Sequence, residues 1–355
     1  ASFRGAGRAP LTAYDIEQSY DWNYVNAPKC DPEVTVPALV GSWDFCGFKV
    51  DSPLGMPAGP LLNSDWIGYY GKLGFSVLTY KTVRSVYRAC YGLPNLLPVG
   101  SPQLTGPGNA TAEAAGVNPT ESWAISFGMP SKDPTTWRAD VERARKRLRS
   151  DQVLVVSVVA SPEDNWTLEQ IAADFTRCAV WAVESGAQAI EANLSCPNVC
   201  SKEGQLYTSP AASNVVSSQI RSAIGWTPLI LKIGLMDSPE HAHAFVEAVR
   251  ESANALSTVN SISASVVDRS GAPAFGGLAR GIGGKCIRDR SNAEVKILRE
   301  VIRETGSDLR IIGVGGISDA DDVRERIEAG ADHVQLATAA MLDPLVGVRI
   351  RGVWA

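Results

Sequence analysis

The stretch RIIGVGGISDADDVRERIEAGADHVQLAT, residues 310–338, contains a complete strand–helix–strand unit. RIIGVG (310–315) is a short, nearly continuous apolar run, as a strand covered on its outer side requires. Gly315 and Gly316 then turn the chain. Ser318, with Asp321 three residues on, opens the helical pattern DADDVRERIEAG, which stops at Gly330. HVQLAT (333–338) reads as the next strand.

The same alternation runs back along the chain to about residue 56. The other strand candidates are MPAGP (56–60), SVLTYK (76–81), VLVVSVV (153–159), QAIEANL (188–194), LILKIG (229–234) and VNSISAS (259–265). Asp133-Pro134 supplies an N-cap and first helical residue before TTWRADVERARKRL, and Ser238 or Asp237 caps the helix that begins at Pro239. Eight strands separated by helices read as an α/β fold, a (β/α)8 TIM barrel occupying residues 51–355. Residues 1–50, rich in aromatics and Pro, are an N-terminal extension expected to wrap the barrel. Two stretches exceed a bare barrel: 83–131, and 265–290 with its GGLARGIGG. Long βα insertions belong on the C-terminal face, where barrels build active sites. Only DPLVGVRIRGVWA follows the eighth strand, so the last helix is expected to be short or missing.

With 355 residues, 45% hydrophobic and 20% charged, the chain has an ordinary globular balance. A net charge of −5 argues against nucleic acid or an anionic membrane as the main partner. No apolar run is long enough to span a bilayer, and the first residues lack the apolar region of a secretory signal. Seven cysteines without framework spacing indicate free thiols in a reducing compartment, so a cytoplasmic location is expected. No metal site is expected. His241 and His243 stand two apart and face different ways on a helix, and no four-cysteine spacing is present. His333, at the start of its strand, reads as structural.

The chemistry concentrates at strand ends. Loops after the seventh and eighth strands of a barrel commonly hold a phosphate group. Gly315-Gly316, the end of QLATAA and Gly283-Gly284 would together rim such a site, since glycines admit a close backbone approach. NLSCPNV (193–199) gathers Asn193, Cys196 and Asn198 on one turn at the barrel mouth. Asparagines both donate and accept, and a tuned thiol can exchange protons. Taken alone, a buried cysteine is more often an inert small hydrophobe; Pro197 and the flanking asparagines argue for an exposed, shaped turn. Lys81 and Lys232 lie inside apolar strands, which is costly unless each ammonium meets an anion or an electron-rich ring, or snorkels to the surface.

MPAGP, LTYKT, NLSCPNV, LILKIG, VNSIS, GIGG, GVGGIS and QLATA, in that order over about residues 50–345, make this chain resemble the dihydroorotate dehydrogenases. NLSCPN is the specific element; GVGGI alone recurs in other phosphate-binding barrels. The resemblance implies FMN as cofactor. It places Ala58 and Gly59 by the flavin ring and hydrogen-bonds that ring to Lys81, Thr82, Asn193 and Lys232. It surrounds the ribityl phosphate with Gly283, Gly284, Gly315, Gly316 and Thr338. Asn193, Asn198, Asn260 and Ser261 would face the substrate, together with Ser126, Phe127 and Gly128 of a matching loop. Cys196 takes the place of the base, with Lys81 beside it in the catalytic set. The quinone-using membrane branch has Ser at that position and a hydrophobic helical extension, so the likeness is to the soluble, cysteine-base branch. The implied reaction is oxidation of a C–C bond next to a carbonyl: Cys196 removes the proton alpha to the carbonyl, and a hydride passes to flavin N5. A soluble electron acceptor and a homodimer are implied as well; transfer to NAD would require a separate subunit.

One departure bears on substrate. Soluble members carry a loop reading Asn-Ser-Met-Gly-Leu-Pro-Asn, whose first Asn grips the substrate. Here the stretch is Ile125-Ser126-Phe127-Gly128-Met129-Pro130-Ser131. Ser122, Ser126 or Asn118 would have to replace the lost contact, or else the substrate is a different cyclic amide or enone. Three other readings remain in view: a tRNA dihydrouridine synthase, disfavoured by the acidic charge; a flavin-binding protein without turnover, disfavoured by Cys196 and both lysines; and a sugar-phosphate barrel enzyme, which has no reason to carry NLSCPNV.

Overall fold

The computed structural model describes residues 13–29, 33–112, 121–195 and 205–354. Cys196, Asn198 and Asn118 lie outside them. Eight parallel strands close a barrel in sequential order: β1 Leu54–Met56, β2 Val77–Val83, β3 Val153–Val158, β4 Ala189–Asn193, β5 Leu229–Lys232, β6 Ala255–Thr258, β7 Arg310–Val314 and β8 His333–Gln335. Each is followed by a helix: α1 Ser64–Gly71, α2 Pro134–Arg147, α3 Leu168–Glu184, α4 Pro210–Ile224, α5 Pro239–Val249, α6 Arg288–Glu304, α7 Ala320–Glu328 and α8 Val346–Trp354. The fold is therefore the (β/α)8 barrel that the alternation implies. None of these helices is long and apolar enough to cross a membrane.

Local chemistry sets the helix starts. The Asp133 carboxylate accepts from Thr136 N, with Pro134 at the first helical position, and Ser238 Oγ accepts from His241 N. For α7 the cap is Asp319, which accepts from Asp322 N at 2.9 Å. Ser318 instead donates from its N and Oγ to Asp322. The last helix is present: α8 reaches across the barrel bottom through the buried Arg351, which binds Asp51 through two nitrogens and donates to Gly74 O.

The sixth strand lies earlier than the sequence implies. Ala255–Thr258 pairs with β5 and β7, whereas Ile262–Val267, which overlaps the expected run 259–265, leaves the barrel. It joins a second, closed five-stranded sheet with Gly108–Ala112, Leu96–Gly100, Ser122–Ile125 and Arg280–Gly284. The two insertions thus form one structure, with its own core of Val99, Ala124, Ile262, Val266 and Ile282. Below, a hairpin of Trp43–Phe45 and Phe48–Val50 turns at Cys46 and Gly47, both at positive φ (50° and 96°), and pushes Phe45 into the barrel floor.

Candidate active site

Alternation along the strands sends every second side chain into the barrel. Near the floor these are Val77, Val153, Ala189, Ile230, Ala255 and Ile312. Two to four residues further on, the same strands place Lys81, Asn193 and Lys232 at the C-terminal mouth, all buried.

Two cavities open there. The larger, about 580 Å³, is rimmed by Gly283, Gly284, Gly315, Gly316 and Thr338. The smaller, about 130 Å³, is lined by Ala58, Gly59, Lys81, Thr82, Asn193, Lys232, Asn260 and Ser261, with Phe127 and Gly128 on its wall. Ile125, Asn260, Val314, Ala337 and Thr338 line both, so the two are parts of one site. The residues expected around a phosphate thus gather at one end and those expected around a ring and substrate at the other. Ser126 does not line either cavity; it is buried, and its Oγ accepts from Arg280 Nε at 2.8 Å. Cys196 and Asn198 belong to the undescribed 196–204. The residues on either side of that segment are tied together by a Ser195–Gln205 bridge, and Asn260 Nδ2 donates to Ser195 O.

The loop 125–131 is held from behind. Arg84 Nε donates to Met129 O at 3.1 Å, Ser131 Oγ accepts from Arg84 N at 3.0 Å, and Asn95 exchanges backbone and side-chain bonds with Ser126. Gly128 has φ 71°, and a Cβ there would stand 2.6 Å from the Tyr91 ring, so this turn needs glycine. Lys81 Nζ lies 6.0 Å over the Phe127 ring.

Glu191, which the sequence reading did not single out, lines neither cavity but stands beneath them beside Lys232. It points into the barrel one layer below Asn193, and its carboxylate stands 3.9 Å from Lys232 Nζ with both side chains buried. Neither carboxylate oxygen has a hydrogen-bond partner among the described residues. The signal was available: a carboxylate in the apolar run QAIEANL is as costly as a lysine in LILKIG.

The dihydroorotate dehydrogenase family model matches residues 107–352. This chain belongs to the dihydroorotate dehydrogenase family. A dihydroorotate dehydrogenase of Dictyostelium discoideum is 32% identical, with 95% of each chain covered. The dihydroorotate dehydrogenase A (fumarate) of Limosilactobacillus reuteri is 30% identical over 56% of this chain and 60% of its own. The catalytic subunit of the dihydroorotate dehydrogenase B (NAD(+)) of Thermoplasma volcanium is 34% identical over 47% of this chain and 53% of its own. In shape the chain is similar to a DHODH crystal structure from Eimeria tenella, in complex with ferulenol, at TM-score 0.70 and 17% identity, covering 88% of this chain and 82% of the other. The family match runs from within the first insertion through the second, and from β3 into α8; it takes in four of the five strands of the second sheet and six of the eight barrel strands.

Proposed function

We propose that this chain binds FMN and oxidises dihydroorotate to orotate, with Cys196 as base, in the manner of the soluble branch of its family. The observation that carries the reading is the joined pair of cavities, glycine-rimmed at one end and lined by two lysines at the other. The donor set fits a phosphorylated flavin. A Cβ on Gly283 would approach Ile125 to 3.3 Å and Thr338 Oγ1 to 3.6 Å, so glycine keeps that edge of the larger cavity open. When bound, the flavin supplies a hydride acceptor at its N5.

The chain's own residues do the rest. Lys81 and Lys232 bring positive charge to the narrow cavity, where burial strengthens its effect on any negative charge that develops. Asn193, Asn260 and Ser261 offer paired donors and acceptors to amide and carboxylate edges. Cys196 takes the proton from the carbon next to the carbonyl, a task that needs the thiolate. Thr82 holds the β2 end against β3 through Ser157 Oγ at 3.0 Å. The electron acceptor is soluble, and the family resemblance extends the proposal to a cytoplasmic homodimer.

A second reading has its own support. Ile125, Leu96, Trp123, Phe127, Met129 and Met341 give the narrow cavity an apolar wall, which favours a different cyclic amide or enone on the same chemistry. Anaerobic stopped-flow absorbance separates the two. Dihydroorotate should bleach the bound flavin rapidly in the wild type and not in Cys196→Ala. A flavin-loaded protein that dihydroorotate leaves oxidised, but another cyclic amide reduces, supports the second reading. A chain that takes up no flavin rejects both.

A further inference from the structure

Arg326, on α7, is fully buried beneath the glycine turn that follows β7. Its stem fits there because Gly313 has no side chain; a Cβ at that position would stand 2.5 Å from Arg326 Cγ. Nη1 donates to Val314 O at 3.0 Å, and Nη2 donates to Gly315 O at 2.8 Å and to Arg288 O at 3.4 Å. Nε donates to the side-chain oxygen of Asn292. The carbonyl and N–H of a trans peptide point in opposite directions. The two peptides that turn the Val314 and Gly315 carbonyls to the guanidinium therefore turn the N–H groups of Gly315 and Gly316 away from it. Both glycines line the larger cavity, both have positive φ (106° and 77°), and no turn or loop bond among the described residues takes up either N–H. Successive N–H groups in such a turn form a concavity suited to an anion.

No carboxylate of a described residue forms an ion pair with Arg326. Asp322 and Glu325 share its helix, but Asp322 is engaged by Ser318 and Arg288, and Glu325 accepts from Asn292. Burial lowers Arg326 to about 10, which leaves it cationic at neutral pH. We propose that Arg326 is a positioning residue for the phosphate of the cofactor: it fixes and polarises the Gly315 and Gly316 peptides and sets a buried positive charge behind them without touching the phosphate. This inference rests on the FMN reading above.

The test uses riboflavin, the same ring without the phosphate. The flavin-free full-length chain is titrated with FMN and with riboflavin, following flavin fluorescence, for wild type, Arg326→Gln and Arg326→Lys. The wild type should prefer FMN. Arg326→Gln should weaken FMN by about tenfold and riboflavin by about twofold or less, on the scale of a lost charge-to-dipole interaction. Arg326→Lys, which keeps the charge but reaches fewer carbonyls, should weaken FMN by about threefold with riboflavin unchanged. Equal losses for both flavins, or none, would overturn the proposal and leave Arg326 as a brace between α7 and β7. If the Gln variant does not fold, the ratio in the Lys variant decides in the same way. A wild type that binds neither flavin rejects the cofactor reading instead.

Discussion

At the floor of the barrel Val77, Val153, Ala189, Ile230, Ala255 and Ile312 close on Phe45 and Val50. At the mouth the same strands offer Lys81, Asn193 and Lys232 over Glu191, Ser257 and Gln335. Backbone pairing runs through both halves, broken only by a register shift between Tyr80 and Val83 in the β2–β3 ladder, so the contrast is chiefly one of side chains. Apart from His333, this layer of the floor is hydrocarbon in contact with hydrocarbon. The mouth retains unsatisfied groups: Glu191, Ser257 Oγ and Gln335 Oε1 have no hydrogen-bond partner among the described residues. Polar groups buried without partners cost stability, and they persist where a site uses them.

The largest effect expected from breaking this contrast is at Lys232. Lys232→Met leaves Glu191 buried beside no cation, which should cost about 3 kcal/mol of stability. It also removes a charge from the narrow cavity, which should slow flavin reduction by about 100-fold. The two effects are separable. Adding Glu191→Leu should restore most of the melting temperature but not the reduction rate. A double variant that regains both would mean that Lys232 acts only through the pair.

The floor should respond in the opposite manner. Ile230→Ala removes buried methylenes from a packed layer and should cost about 2–4 kcal/mol in chemical denaturation. Flavin content and reduction rate should be unchanged below the unfolding transition. A loss of flavin at full folding would show that the floor transmits its packing to the mouth.

The two halves also differ in how far they could be read from residues alone. The barrel was legible because most of its strands are apolar runs separated by capped helices, although the first, expected at 56–60, lies at Leu54–Met56. The sixth was misplaced because ALST carries two apolar residues while VNSISAS, just beyond it, looks more like a strand. The second sheet was not legible at all. Its strands are short, several hold Gly or Pro, and they pair across the chain, as Ala264 with Gly108 and Gly281 with Ile125. Local periodicity carries no information about such partners. In the site, Lys81 and Lys232 stood out because a charge in an apolar strand needs a reason, and Glu191 obeys the same rule. Arg326 had no such mark: in RERIEAG it sits among other charges, and only the packing turns it inward.

Ile125 sharpens the comparison within the mouth itself, since it lines both cavities where the family resemblance puts an asparagine. If dihydroorotate is the substrate, Ile125→Asn should tighten its binding by about tenfold, the worth of one buried hydrogen bond. Steady-state KM and ligand-induced spectral shifts would read this. If the substrate is a less polar ring, the same change should weaken binding by a similar factor.

The smallest effect belongs to the floor and to pH. His333 Nε2–H donates to Asp44 O at 2.9 Å, and its ring meets Phe45 edge-on at 5.0 Å. Nδ1 has no partner among the described residues, so a proton added there gains no hydrogen bond. Burial lowers the His333 pKa below its ordinary value. The folded state thus resists protonation more than the unfolded chain does. Its contribution is complete above the unfolded value of about 6.5 and is lost as pH falls toward the depressed folded value, by about 1.4 kcal/mol per pH unit at most. Melting temperatures measured from pH 7.5 down to 5 should therefore fall more steeply in the wild type than in His333→Gln, which has no ring to charge. Equal slopes would place the acid sensitivity elsewhere and would mean that the floor admits enough water to solvate an imidazolium, contrary to the dry packing around Phe45.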